Sequence, residues 1–111
     1  MAGPQDTLLV ITNLPDRKSA ETLASALIER RVAACVNVMS PCRSVFRWQG
    51  VVEHAEEHPV FAKTPADRYA DLQKVIRELH PYELPEVIAV RVEAGLPAYL
   101  EWVAAETRPA A

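Results

Sequence analysis

Two extended stretches, Ala33 to Arg47 and Val51 to Lys63, meet at the turn pair Gln49-Gly50, and their length constrains the fold more than any other feature. Glycine reaches the positive φ that a tight hairpin turn demands, so the middle third of the chain reads as one long antiparallel hairpin. Its first arm runs through the apolar, β-branched Ala33 to Met39, passes Ser40-Pro41-Cys42, and continues through Val45, Phe46 and Trp48. Each arm is about twice the usual strand length of about 5 to 6 residues, so the excess must pair with something. A tip carrying Phe46 and Trp48 is an aggregation hazard in a monomer, and addition to a neighbouring copy's sheet removes it. A closed homo-oligomer is therefore expected.

The elements around the hairpin are regular. Thr7 to Leu14 is an apolar run ending at Asn13-Leu14-Pro15-Asp16, a strand followed by a turn that caps a helix. Ala20, Leu23, Ala24, Leu27, Ile28 and Val32 then recur at helical spacing with charged residues between them, which gives a helix one buried face. Thr64-Pro65-Ala66-Asp67 places a hydroxyl at a cap, a proline at the first helical position and a carboxylate in the first turn. Tyr69, Leu72, Val75, Ile76 and Leu79 follow at helical spacing up to the His80-Pro81 break, and Val87 to Val92 reads as a last strand. A short helix from Pro97 carries Tyr99, Leu100 and Val103, with Leu96 a poor cap. The order β-α-β-β-α-β implies an α+β fold, ferredoxin-like, with an antiparallel sheet, a long hairpin between its second and third strands and a short C-terminal helix. Residues 7–106 are expected to form a single domain between tails at 1–6 and 107–111.

Several classes of function are excluded by composition. Twelve Lys and Arg against 15 Asp and Glu leave a net charge of −3, without the basic excess that phosphate-backbone binding requires, so no nucleic-acid partner is expected. No apolar run approaches the roughly 20 residues needed to span a bilayer, and the N-terminus lacks a signal-peptide pattern, so the chain reads as cytoplasmic with no membrane partner. In that compartment Cys35 and Cys42 are expected as free thiols.

The polar chemistry concentrates in His80-Pro81-Tyr82-Glu83-Leu84-Pro85-Glu86-Val87. Two prolines fix the backbone around an imidazole, a phenol and two carboxylates, and rigid polar loops are where ligands usually sit. A neutral His80 imidazole with Glu83 or Glu86 is a borderline metal site; the alternative is a histidine closing a helix C-terminus. Cys35, inside an apolar run, is either a further thiolate ligand or a small buried hydrophobe. Trp48 and Tyr82 read more as interface packing than as chemistry. Lys63, beside a helix start, is placed to hold a carboxylate such as Glu86 or an anionic ligand.

His54-Ala55-Glu56-Glu57-His58 spells H-x-x-E-H, which on a helix is an inverted zinc-protease signature. On an extended strand, residues four apart lie about 13 Å from each other, too far to share one metal at about 2.1 Å per bond. The strand reading, with Pro59 immediately after, argues against catalysis; His54 and His58 then mark a solvated strand face.

Five segments in order, Ala34-Cys35-Val36-Asn37, Phe46-Arg47-Trp48-Gln49-Gly50, Ala62-Lys63-Thr64, His80 to Val87 and Tyr99-Leu100-Glu101-Trp102, resemble the CutA divalent-cation tolerance proteins from about Leu8 to Trp102. The resemblance implies a ferredoxin-like subunit, a homotrimer built by hairpin exchange with an architecture similar to that of the PII signalling proteins, and a link to divalent cations, copper before zinc. It implies no enzyme. Metal at intersubunit sites is expected to involve His80, Glu83, Glu86 and Cys35, with Trp48, Lys63, Tyr82, Asn37 and Phe46 lining an intersubunit pocket. The alternatives are a PII-like sensor of a small anion and a purely structural trimer. Phe46 stands where the family usually has tyrosine, and Thr12 and Asn13 stand where some relatives carry a cysteine.

Overall fold

The computed structural model describes Gly3 and residues 5–109, so Met1, Ala2, Pro4, Ala110 and Ala111 of the expected tails lie outside the described residues. Its elements are β1 (Thr7–Leu14), α1 (Arg17–Glu29), β2 (Cys35–Val38), β3 (Cys42–Trp48), β4 (Val51–Pro65), a single 3-10 turn (Ala66–Arg68), α2 (Tyr69–Leu79), β5 (Ile88–Arg91) and α3 (Pro97–Ala105). Antiparallel pairing in the order β2-β4-β1-β5, with β3 also on β4, gives the expected ferredoxin-like α+β sheet. Among the described residues no helix is long and apolar enough to cross a membrane.

The first arm of the hairpin is two strands rather than one. Met39 N–H still reaches Pro59 O at 2.8 Å, but Pro41 has no N–H to continue the ladder, and pairing resumes at Cys42 opposite Glu57. The return arm is unbroken over 15 residues, and its second half, His58 to Pro65, pairs with β1. Gln49 (φ 50°) and Gly50 (φ 82°) both take positive φ, as a type I′ hairpin turn requires.

Alternation along the strands sorts the two faces of the sheet. Val10, Thr12 and Leu14 of β1 and Val60, Ala62 and Thr64 of β4 are buried on one face, packed against Leu23 and Leu27 of α1 and Leu72 and Ile76 of α2. The 3.6-residue spacing of the helices supplies the matching stripe. Asp16 caps α1 as expected, its carboxylate accepting Ser19 N–H at 2.7 Å. The helix ends at Glu29; Arg31 takes φ 57°, and Val32 turns back into the core from beyond the helix.

Thr64 does not cap a helix. It is fully buried on β4, and its hydroxyl donates to Val32 O at 2.7 Å, tying the strand to the chain leaving α1. The α-helical geometry starts five residues later, at Tyr69. On the second face of the sheet α3 packs against β4 and β1. Its last turn is followed by Thr107, fully buried and donating to Val103 O at 2.8 Å, and by Arg108, whose guanidinium forks onto Asp67 at 2.8 and 2.9 Å. Packing thus continues through Arg108, and β5 is shorter than the expected Val87 to Val92, with all four residues exposed.

Candidate functional site

His80 closes α2 with an extended backbone (ψ 132°), the geometry imposed by Pro81, and its ring turns in beneath the end of β1. Nε2 lies 2.6 Å from Asn13 O, and Nδ1 accepts the Tyr82 backbone N–H at 3.1 Å. These two bonds select the Nε2–H tautomer and occupy both nitrogens. Burial is the main reason the His80 pKa falls below 6.5, with the Asn13 carbonyl and the Glu57 charge pulling the other way. The ring is therefore neutral near pH 7 and bonded on both sides, and a metal on Nδ1 must displace the Tyr82 N–H. Its partner is the β1 carbonyl rather than the terminal carbonyls of its own helix.

Pinned in this way, the loop turns Tyr82 toward the hairpin. Its ring lies 4.8 Å from that of His80, centre to centre, and its hydroxyl donates to Glu57 Oε2 at 3.0 Å. Burial first, and the Glu57 carboxylate second, push the phenol up to about 12, so it remains a donor across the physiological range. Glu57 itself is only 7% exposed. At the other end of the loop, Asn13 Nδ2 donates to Glu86 Oε1 at 3.1 Å. Both Glu83 and Glu86 are exposed, and Glu86 is oriented by Asn13. Between this loop and the hairpin lies a cleft of about 610 Å³ whose walls include Phe46 and Trp48 of β3, Tyr82, Glu57 and Glu86. Phe46, Trp48 and Tyr82 meet there in one chain.

Glu57 was hidden in the sequence by its neighbours, since His54 to His58 reads as a solvated charged run. The available signal was parity: Cys42 pairs with Glu57 and Phe46 with Glu53, so Glu57 shares a face with Phe46 and Trp48.

The remaining candidates gather around β2. Cys35 pairs with Lys63 across the sheet, and Lys63 Nζ donates to Asn37 Oδ1 and lies 3.9 Å from Cys35 Sγ. Tyr99 of α3 reaches the same place: burial first, then Cys35, raises its pKa. Lys63 therefore pairs with Asn37 and the thiol rather than with Glu86, and its ammonium places positive charge where a cation at Cys35 would lie. Cys35 is half-buried and Cys42 exposed, both as free thiols. His54 and His58 sit on strand β4, as the strand reading expected, and line different hollows, one beside Cys42 and Arg43 and the other beside Arg17 and Glu21. Among the described residues of one chain, no three of His, Cys, Asp and Glu come together as a metal site.

Residues 8–106 match the family described as CutA1 divalent ion tolerance protein. The Divalent-cation tolerance protein CutA of Thermus thermophilus is 36% identical over 99 residues, covering 89% of this chain and 96% of its own. Protein CutA of Mus musculus is 38% identical over 100 residues, 90% of this chain but 56% of the mouse protein, so the chain spans about half the length of that relative. Among solved structures, CutA from Xylella fastidiosa superposes with a TM-score of 0.90 at 40% identity, covering 93% of this chain and 99% of that one. CutA1 from Oryza sativa gives 0.90 at 32%, with 93% and 94% covered. The family match and these similarities extend over nearly the whole chain, which belongs to the CutA1 divalent ion tolerance family, named for ion tolerance and not for a catalysed reaction.

Proposed function

We propose that the protein exercises divalent-cation tolerance as a cytoplasmic homotrimer built by hairpin exchange, and that divalent cations, copper foremost, bind where subunits meet. The observation that carries this reading is the projecting β3–β4 arm. Val51 to Glu57 pair with β3 on one side only, while Val45, Val51 and Val52 are each more than half exposed. The edge strand β5 adds Ile88 and Val90, each 50% exposed. A second copy laid along these surfaces satisfies free backbone groups and covers apolar area together. A metal site of three or more protein ligands would then draw on more than one copy. Glu86 and Glu83 are donors on this reading; Cys35 joins them only if the Lys63 ammonium, 3.9 Å from its sulfur, moves aside, and His80 only by giving up the Tyr82 N–H.

Lys63 favours a second reading, a PII-like trimer that senses a small anion, because its ammonium is oriented by Asn37 and has no carboxylate partner among the described residues. Native mass spectrometry during copper titration separates the two. Three copper ions per trimer, reduced in Glu86→Gln and Cys35→Ser proteins that still form trimers, support the metal site. Trimers whose copper uptake is ragged and indifferent to both substitutions overturn it and leave the anion reading. Monomers at micromolar concentration overturn the assembly itself.

A further inference from the structure

Cys35 and Lys63 are direct partners across the β2–β4 ladder. Lys63 Nζ donates to Asn37 Oδ1 and lies 3.9 Å from Cys35 Sγ, while the residue opposite Lys63 on the other neighbouring strand is the apolar Leu9. Its polar contacts therefore come from β2, and they are an amide and a thiol rather than the carboxylate that usually accompanies a half-buried lysine. Tyr99 of α3 reaches the same thiol: burial first and Cys35 second raise its phenol pKa.

In the reduced protein this is a weak hydrogen bond to sulfur and nothing more. Oxidation changes its chemistry, because the sulfur of a sulfenic acid is electrophilic and condenses with a neighbouring thiol or nitrogen. The second thiol of the chain is out of range: Cys42 pairs with Glu57, about 20 Å along β4 from Lys63. That leaves the Lys63 amine as the neighbouring nucleophile. We propose that Cys35 and Lys63 form a redox pair, in which a sulfenic acid produced on Cys35 by a peroxide is captured by Lys63 as a covalent sulfenamide. In the first step the Cys35 sulfur attacks a peroxide oxygen; the S–O bond forms, the O–O bond breaks, and sulfur gives up the two electrons that reduce the peroxide. In the second the neutral amine attacks that sulfur; the S–N bond forms, the S–O bond breaks, and the hydroxyl leaves as water with a proton from nitrogen. Thiol, amine and hydrogen peroxide become one sulfenamide and two waters. Closing 3.9 Å to a bond is a matter of torsions in the flexible four-carbon lysine stem, with the two strands already in register. The link removes a thiol and a positive charge together and staples the edge strand β2 to β4 until a reducing thiol opens it. Both atoms belong to one chain and the oxidant is a few atoms in size, so the reaction requires no open cleft and rests on neither the metal nor the assembly reading.

The test is peroxide treatment of the full chain carrying Cys42→Ser, with a chelator present, followed by tandem mass spectrometry of tryptic peptides. Fragmentation separates oxygen on Cys35 from oxygen on Met39, which shares its peptide. Peptide 32–43 is expected to be joined to 48–68, uncleaved at Lys63, at a mass two hydrogens below the sum of the two, and dithiothreitol should part them. With Lys63→Arg, which keeps the charge but not the amine, the link should vanish and Cys35 should advance to sulfinic and sulfonic acid. Cys35 reaching those acids equally in both proteins would overturn the proposal. So would a two-hydrogen loss that persists in Lys63→Arg, which assigns the capture to a backbone nitrogen, or a Cys35 left unoxidised while Met39 takes up oxygen. The linked atoms are read directly in the chain that retains Lys63, so the result stands whether or not the arginine variant folds.

Discussion

Replacing His80 with alanine tests whether that ring is a structural clasp between α2, β1 and the polar loop. Two hydrogen bonds are lost, Nε2–H to Asn13 O at 2.6 Å and Tyr82 N–H to Nδ1 at 3.1 Å, at a position only 7% exposed. Each buried group left without a partner costs about 1 to 3 kcal/mol, so the substitution is expected to cost about 2 to 4 kcal/mol after partial rehydration. The same geometry fixes a pH dependence. Burial depresses the His80 pKa in the folded protein, so the unfolded chain takes up a proton near 6.5 while the folded one waits for a lower pH. Between those values the unfolded state holds more protons, and stability rises with pH. The contribution is complete above 6.5 and drains away as pH falls below it, at no more than about 1.4 kcal/mol per unit. Protonation also turns Nδ1 into a donor facing the Tyr82 N–H donor. Urea unfolding at fixed protein concentration, compared between about pH 7.5 and about pH 5.5, should show the wild type losing more than His80→Ala, with carboxylate effects common to both cancelling. Parallel losses in the two proteins would refute the clasp, as would a wild type that gains on acidification relative to the variant.

Two buried threonines on one face of the sheet should respond with opposite signs. Thr12, 1% exposed, has a hydroxyl without a hydrogen-bond partner among the described residues, so Thr12→Val is expected to be neutral or to stabilise by up to about 1 kcal/mol in urea midpoint measurements. Thr64→Val strands the Val32 carbonyl and should cost about 1 to 2 kcal/mol by the same assay. The Arg108–Asp67 fork is partly solvated, so Arg108→Gln should cost less than about 1 kcal/mol, and less again in high salt. Arg108 is the main cause lowering the Asp67 pKa, so carbon-detected NMR of the variant should find that carboxyl titrating closer to its ordinary range.

What the sequence revealed and what it concealed follow from the range of the interactions. β1, α1 and α2 were legible because period and capping are local: Asp16 finds Ser19 three residues away, and the apolar stripes repeat within each helix. Thr64 misled because its hydroxyl suits a cap equally well, and only a bond to Val32, 32 residues away, diverts it. The break in the first hairpin arm was written in Pro41, whose missing N–H outweighs the apolar character on either side. Within the site, Tyr82 and Glu86 announced themselves by their proline-flanked loop. Glu57 did not, because its burial depends on a loop 25 residues further along the chain folding over it. His80 showed its importance in sequence but not its role, which the Asn13 carbonyl decides.

β4 is the partner of β1, β2 and β3 alike, while none of those three pairs with another. During synthesis, therefore, β1, β2 and β3 emerge from the ribosome with no described strand among them able to zip onto another. Ladder formation must wait for the Gln49-Gly50 turn, whose adjacent strands form the shortest-range pairing in the sheet. The apolar N-terminal segment has to be tolerated as a nascent chain until Pro65 is out, which makes early β1 the point where holding chaperones or premature aggregation compete for the molecule.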